Sequence, residues 1–133
     1  MNFIAETKKV AGRSSIGKHK TGAVIVRNGR IISNGWSHVP HYKLRSKRSL
    51  HAEIHALARA RHLNLNNTDI YVVTIAQSGS LVNAKPCLDC AIALKAAGVV
   101  TAFYSHNYLS LCELDLSTEE HFADLKVYEL NGN

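Results

Sequence analysis

The sequence has few cysteines, few prolines and no long apolar run, and each shortage argues against a class of protein. Its 133 residues include three cysteines, two prolines and one tryptophan. An odd and small number of cysteines does not support the disulfide framework of a small secreted domain. No apolar run approaches the roughly 20 residues that span a bilayer. The segment Met1–Lys9 is too polar for a secretory signal, so we expect a cytoplasmic protein with no membrane partner.

Acidic residues are also in the minority, ten against sixteen lysines and arginines, which gives a formal net charge of +6. This excess attracts anionic partners, but it does not distinguish a nucleotide phosphate from a polynucleotide backbone. Four of the basic residues fall within positions 43–48, where a solvated basic face and a phosphate-binding role both stay open. Length and composition fit one domain, and we expect residues 1–133 to form it.

Local patterns predict alternating strands and helices. Asn28-Gly29 between two β-branched runs is a strong hairpin signal, because both residues accept positive φ. The order of the elements predicts crossovers and a largely parallel sheet after the first hairpin. The predicted elements are a weak helix over 2–12, strands over 21–27 and 30–34, a long loop over 35–50, a helix from His51, a buried strand over 70–75, a helix from Pro86 to Gly98, a strand over 99–104, a helix start at 117–120 and a last strand over 125–130.

Two short motifs about 35 residues apart carry the chemistry: His51-Ala52-Glu53 and Pro86-Cys87-Leu88-Asp89-Cys90. One imidazole and two thiolates suit a tetrahedral zinc ion whose fourth position is left open by the protein. Glu53 is then the candidate to handle the protons of a water molecule. By itself, a Cys-x-x-Cys pair also fits a redox pair or half of a structural zinc site, and both alternatives stay open.

The spacing of these residues is consistent with a shared ligand. Cys87 and Cys90 are i and i+3 on a predicted helix, so their side chains lie on one face. Both motifs are expected in the first turns of their helices, where exposed N–H groups and the helix dipole favour negative charge. We therefore expect the helix N-terminus to lower the pKa of the thiols.

In this order and spacing, the two motifs resemble the signature of the cytidine deaminase-like superfamily of zinc-dependent deaminases. The resemblance covers roughly residues 20–105. It implies an α/β fold, a three-layer α/β/α sandwich around a mixed sheet of about five strands. It also implies that His51, Cys87 and Cys90 bind Zn²⁺ and that Glu53 is the catalytic proton shuttle.

The residues around the motifs refine the resemblance. With histidine at position 51, the chain is similar to the deoxycytidylate, guanine, tRNA and polynucleotide deaminases of the superfamily. The small cytidine deaminases usually have cysteine at this position. Many relatives place an asparagine where this chain has Ser37, which puts that substrate contact in doubt. Ser37, Ala52 and Trp36 are the candidate substrate contacts, although packing is the favoured interpretation of Trp36. His55 is interpreted as structural, because Glu53 stands in the wrong register for a protease-type His-x-x-x-His pair.

The implied reaction is hydrolytic conversion of a cytosine base to uracil with release of ammonia. A small nucleotide such as dCMP is the expected substrate, because the chain is compact. The basic charge favours the alternative, a deaminase of cytosine or adenine in single-stranded DNA or RNA, including tRNA. A non-catalytic zinc-binding module is the third interpretation. We expect the 78–87 loop to frame the pocket and the chain to form a homo-oligomer.

Overall fold

The computed structural model describes residues 2–39 and 49–117, and the backbone of residues 123–129. The predicted order of helices and strands is confirmed from residue 3 to residue 105, with one added element, a two-residue strand at Leu81–Val82. The helices are α1 (Phe3–Ala11), α2 (Ala52–Arg59) and α3 (Leu88–Ala97). The strands are β1 (His19–Arg27), β2 (Arg30–Trp36), β3 (Thr68–Ala76), β4 (Leu81–Val82), β5 (Val99–Ser105), β6 (Ser110–Asp115) and β7 (Ala123–Glu129).

One mixed sheet contains all of these strands, in the order β2-β1-β3-β5-β6-β7, with β4 beside the end of β3. The prediction of a largely parallel sheet is wrong. Among the described pairs only β3 and β5 run parallel, because β6 and β7 return as antiparallel neighbours. Sequence reasoning missed β6, although buried Cys112 and Leu114 alternate with half-buried Glu113 and Asp115 at the period of two that a strand requires.

The first hairpin is confirmed in detail. Asn28 and Gly29 both have positive φ, at 51° and 76°, as a tight two-residue turn between twisted strands requires. Strands β1 and β2 then pair antiparallel, and Val24 lies opposite Asn34. This hairpin places β2 at the edge of the sheet and carries the chain to the start of α2.

Helices cover both faces of the sheet, which confirms the three-layer sandwich. Successive side chains of β1 point to opposite faces of the sheet, so alternate residues pack against the helices on different faces. Val24 packs with Val10 of α1 on one face. Ala23 and Ile25 join a larger core on the other face, together with buried residues of α2 and α3. The two helices that carry the chemical motifs therefore share one face of the sheet.

Strand β3 is less uniformly buried than its apolar sequence predicts. Ile70 and Val72 are fully buried beneath α2 and α3, but Asp69 and Tyr71 point to the other face and are half-buried. The Tyr71 ring stacks on Phe103 of β5, with 4.7 Å between ring centroids.

Two sequence predictions fall partly or wholly outside the described residues. They are the basic part of the 35–50 loop, at positions 43–48, and the helix start at 117–120, of which the structure describes only Ser117. The predicted last strand is confirmed as β7, shifted to Ala123–Glu129. Within the described ranges, no helix is both long and apolar enough to cross a membrane.

Candidate metal centre and substrate cavity

The two motifs lie at the N-termini of α2 and α3, which begin at Ala52 and Leu88, one and two residues after the predicted starts at His51 and Pro86. His51 is the N-cap of α2, and its side chain makes no capping hydrogen bond. Cys87 is the N-cap of α3, and its Sγ accepts a hydrogen bond from the backbone N–H of Cys90 at 3.5 Å. Pro86 precedes the helix, and Gly98 ends it with a left-handed φ of 105°. Because α2 and α3 pack together, these two helix starts meet.

The three predicted ligands converge at this junction. His51 Nδ1 lies 3.2 Å from Cys90 Sγ and 3.7 Å from Cys87 Sγ. All three donor atoms lie within 4.8 Å of one another. Two donors on one tetrahedral zinc ion, with bonds of about 2.0–2.3 Å, are roughly 3.5–3.8 Å apart. The arrangement therefore fits a single zinc ion held by one nitrogen and two sulfurs.

Glu53 lies in the first turn of α2 and is buried, with 5% of its surface exposed. Burial raises the pKa of its carboxyl, while a hydrogen bond from its own backbone and the charge of His51 oppose this rise. Glu53 lines the same cavity as His51 and Cys87. A carboxylate close to, but separate from, the three donor atoms is what proton transfer beside a metal requires.

The cavity has a volume of about 300 Å³ and opens beside the donor cluster. The starts of α2 and α3 contribute its reactive wall, with His51, Ala52, Glu53 and Cys87. Its lining also includes Thr21 and Thr74, whose hydroxyl oxygens are 2.8 Å apart on neighbouring strands. The size lies at the lower end of small-molecule sites.

The chain matches the family model described as the cytidine and deoxycytidylate deaminase zinc-binding region over residues 1–106. It belongs to this family. The match spans both motifs and every residue that lines the cavity. Zinc is therefore the family's metal, and His51, Cys87 and Cys90 form the site in this chain that can bind it.

Several solved structures share the fold. A dCMP deaminase from the cyanophage S-TIM5 is 23% identical, with a TM-score of 0.56 over 80% of this chain and 85% of that one. A cytidine deaminase from Mycobacterium tuberculosis is 16% identical, with a TM-score of 0.54 over 80% and 85%. The RibD protein of Acinetobacter baumannii is 24% identical, with a TM-score of 0.54 over 77% of this chain and 26% of that one. No curated protein sequence matches the chain.

Two of the three predicted substrate contacts line the deaminase cavity. Ala52 is fully buried at the start of α2, and Ser37 follows β2. The Ser37 hydroxyl accepts the Thr21 N–H at 3.0 Å and lies 3.0 Å from Ser14 Oγ. The hydroxyl thus ties β1 to the segment after α1, which limits what it can offer a ligand.

The third predicted contact, Trp36, does not line the cavity. Its ring packs against the α1 side of the sheet, with the guanidinium carbons of Arg13 and Arg59 5.3 Å and 5.1 Å from the ring centroid. Trp36 is the last residue of β2 and Ser37 follows it, and of the two only Ser37 lines the cavity. Packing is therefore the role that the structure supports for Trp36.

His55 lies apart from the donor cluster, as predicted. Its Nδ1 accepts the backbone N–H of Trp36 at 3.1 Å, and its ring meets those of Trp36 and His38 at centroid distances of 4.5 Å. Burial, reinforced by the positive charges of His38 and Arg59, lowers the pKa of His55. This histidine joins β2 to α2 and is not among the metal donors in the described ranges.

The predicted effect of the helix N-terminus on the thiols is wrong for Cys90. Burial, the Glu53 carboxylate and neighbouring Cys87 raise the pKa of the Cys90 thiol well above its ordinary value. Cys90 is 2% exposed and has acidic neighbours, and both conditions disfavour the charged thiolate. Zinc binding at this site must therefore displace a proton from Cys90.

Sequence reasoning missed several cavity residues from other elements. Thr21 and Thr74 come from β1 and β3, His19 from the start of β1, and Asn83 from the segment after β4. No local motif marks these four residues, because only the pairing of β1, β3 and β4 brings them together. Lys85, by contrast, lies in the 78–87 loop that was predicted to frame the pocket, and the structure confirms its place in the lining.

Proposed function

We propose that this chain is a zinc-dependent hydrolytic deaminase that converts cytosine to uracil in a small nucleotide such as dCMP. The observation that carries the proposal is the cavity that a buried carboxylate, Glu53, shares with the donors His51 and Cys87, whose ligand atoms lie within 4.8 Å of the third donor, Cys90. The family of the chain supports deamination as the reaction. The cyanophage relative, solved in complex with dCMP and dUMP, supports the choice of substrate to test.

His51, Cys87 and Cys90 would hold the zinc ion through one nitrogen and two sulfurs. When bound at a site with three protein ligands, zinc supplies Lewis acidity that lowers the pKa of water. Glu53 would accept a proton from the water that adds to the amine-bearing ring carbon. It would then pass that proton to the adjacent ring nitrogen. Glu53 would next take the proton of the hydroxyl on that carbon and give it to the amine, so that the carbon–nitrogen bond breaks, ammonia leaves and the carbonyl of uracil forms.

The position and the burial of Glu53 both suit it to these proton transfers. The side chain starts from the first turn of α2, whose position is fixed by packing on β2 and β1. A carboxylate that is shielded from bulk water exchanges protons with the bound substrate instead of with solvent. Ala52 beside it presents only a methyl group, which leaves space for a flat ring.

The volume of the cavity favours a small substrate. About 300 Å³ suits one base with its sugar, at the lower limit of typical small-molecule sites. The net charge of +6 favours the alternative substrate, a cytosine or adenine base in single-stranded DNA or RNA. A zinc-binding module without activity is disfavoured by buried Glu53, which a purely structural site does not require.

The deciding experiment is a screen for ammonia release by the zinc-loaded chain. The substrates are dCMP, CMP, deoxycytidine, cytidine, guanine and short single strands that contain cytosine or adenine. We expect the highest kcat/KM with a free cytosine nucleotide, and no turnover by Glu53→Gln. Turnover of strands alone would select the nucleic-acid alternative, and no turnover of any cytosine substrate would reject the proposal.

Three further proposals concern the domain organisation, the location and the assembly of the chain. We propose that residues 1–133 form one domain, since β6 and β7 extend the sheet that contains the site. We also propose a cytoplasmic location and a homo-oligomeric assembly. Cell fractionation and analytical ultracentrifugation test these two, and a monomer at micromolar concentration would contradict the second.

A further inference from the structure

Two basic side chains line the cavity and have no part in the proton transfers described above. His19 is the first residue of β1, and Lys85 lies two residues before Cys87. Both are exposed to solvent at the cavity surface. Among the described residues that line the cavity, Glu53 is the only carboxylate. The lining is therefore asymmetric in charge, and an anionic ligand would be attracted toward Lys85 and repelled by Glu53.

Hydrogen bonds hold the backbone that leads to Lys85. Asn83 Oδ1 accepts the backbone N–H of Lys85 at 2.8 Å, and the Ala84 N–H donates to the Ser105 carbonyl oxygen at 2.7 Å. The hydroxyl of fully buried Ser105 donates to the Val82 carbonyl oxygen at 2.6 Å. The segment thus enters α3 in a defined path, which lowers the entropic cost of using Lys85 to bind a ligand.

His19 is fixed in the same way by the sheet. It pairs with Ala76 of β3, two positions before Thr21 pairs with Thr74. His19 and Thr21 point to the same face of β1, since side chains two apart in a strand share a face. Thr21 lines the cavity, so the strand itself directs His19 to the cavity side.

We propose that Lys85 and His19 form a phosphate subsite that makes the enzyme prefer a cytosine nucleoside monophosphate to the nucleoside. This inference rests on the proposed function and specifies its substrate. The phosphate would bind beside Lys85 and His19, and the base would then point to Glu53 and the donor cluster. Lys85 provides a positive charge and three donors, and His19 provides a ring N–H.

The test compares phosphorylated and unphosphorylated substrates in the zinc-loaded chain. Lys85→Met and His19→Gln should each lower kcat/KM for dCMP, by about 10- to 100-fold for the lysine, as expected for loss of a charged hydrogen bond. Their kcat/KM for deoxycytidine should not fall. Lys85→Arg, which keeps the charge, should retain most of the preference for dCMP. Lys20→Met is the matched control, because Lys20 is adjacent to His19 but points to the other face of β1.

A binding measurement provides a second readout that does not depend on turnover. Isothermal titration calorimetry with dUMP and deoxyuridine should show that Lys85→Met weakens binding of dUMP alone. Equal losses for both ligands, or an unchanged preference for dCMP in both variants, would overturn the subsite. If the wild-type chain deaminated no cytosine substrate, the proposed function would fail, and dUMP binding would still decide on the phosphate subsite.

A phosphate group can belong to a free nucleotide or to a strand, and the same variants distinguish these sources. A single strand of about ten nucleotides with one cytosine serves as the second substrate. A loss confined to dCMP supports a subsite for the terminal monophosphate. A loss confined to the strand, with deoxycytidine and dCMP turned over equally by the wild type, would overturn it in favour of a strand-binding role.

Discussion

Glu53 is the residue whose chemistry separates an enzyme from a zinc-binding module. We predict that Glu53→Gln keeps the fold and the metal but lowers kcat by about 10²–10⁴-fold, because an amide cannot accept and return a proton. Ammonia release and zinc content should be measured on the same preparation. Glu6→Gln, at a half-buried position on α1, is the matched control. Turnover near the wild-type rate in Glu53→Gln would remove the proton-shuttle role.

Cys90 and Cys112 are both buried cysteines, but only Cys90 belongs to the donor cluster. The wild-type chain should contain about one zinc ion by atomic emission. We predict that Cys90→Ala loses this zinc and unfolds at lower denaturant concentration, because metal binding is coupled to folding. Cys112→Ala should retain zinc, although it also leaves a small cavity. Full zinc content in Cys90→Ala would show that the ligand assignment is wrong.

His55 should make stability depend on pH. Its pKa is lowered in the folded chain from an ordinary value of 6.5, so the unfolded chain binds its proton more readily. The contribution of His55 is therefore present above pH 6.5 and is lost as the pH falls from there toward the lowered value. We predict that His55→Asn reduces the difference in free energy of unfolding between pH 7.5 and pH 5.

Denaturant titrations at these two values test this prediction about His55. His62→Gln, at an exposed position just beyond α2, is the control and should follow the wild type. An equal pH difference in the wild type and in His55→Asn would show that another group dominates.

At the scale of elements, the close approach of α2 to β2 sets the position of the reactive wall. A Cβ atom at Gly35 of β2 would overlap the backbone nitrogen of Ala56 and lie 2.5 Å from the Ala52 carbonyl oxygen. Backbone atoms cannot yield as a flexible side chain can. The helix that carries His51 and Glu53 is therefore packed directly on the strand, and glycine makes this contact possible.

We predict that Gly35→Ala lowers the free energy of unfolding by about 1–3 kcal/mol or more, as overpacking does, and weakens zinc binding because α2 must shift. Gly17→Ala is the matched control, since nothing lies within 4 Å of its added Cβ. Chemical denaturation and competition with a zinc chelator measure the two effects. Stability of Gly35→Ala equal to that of Gly17→Ala would contradict this packing argument.

At the scale of the whole molecule, a net charge of +6 can act on substrate binding in two distinguishable ways. A strand neutralised at several phosphates would give a steep salt dependence, with a slope of about −0.7 per phosphate. A free nucleotide presents one phosphate group to the cavity. We predict that KM for dCMP changes only weakly between about 50 and 200 mM salt. Over the same range, binding of a strand through several phosphates would weaken steeply. A steep slope with turnover of strands alone would select the nucleic-acid substrate.

The sequence alone determined the chemistry and much of the local structure. Zinc ligation and proton transfer need particular side chains, so His51, Glu53, Cys87 and Cys90 are recognisable wherever the chain places them. Asn28-Gly29 and Gly98 mark their turn and helix end through local backbone conformation, which sequence also encodes. These features depend on residue type and short spacing, and both are present before folding.

Only the tertiary structure decided which other residues surround the reaction. His19, Thr21, Thr74 and Asn83 come from β1, β3 and the segment after β4, and strand pairing brings them to one cavity. The raised pKa of Cys90 likewise follows from burial beside Glu53, across two helices. Burial, cavity shape and the electrostatic field of neighbours are sums over residues distant in sequence, so no local pattern contains them.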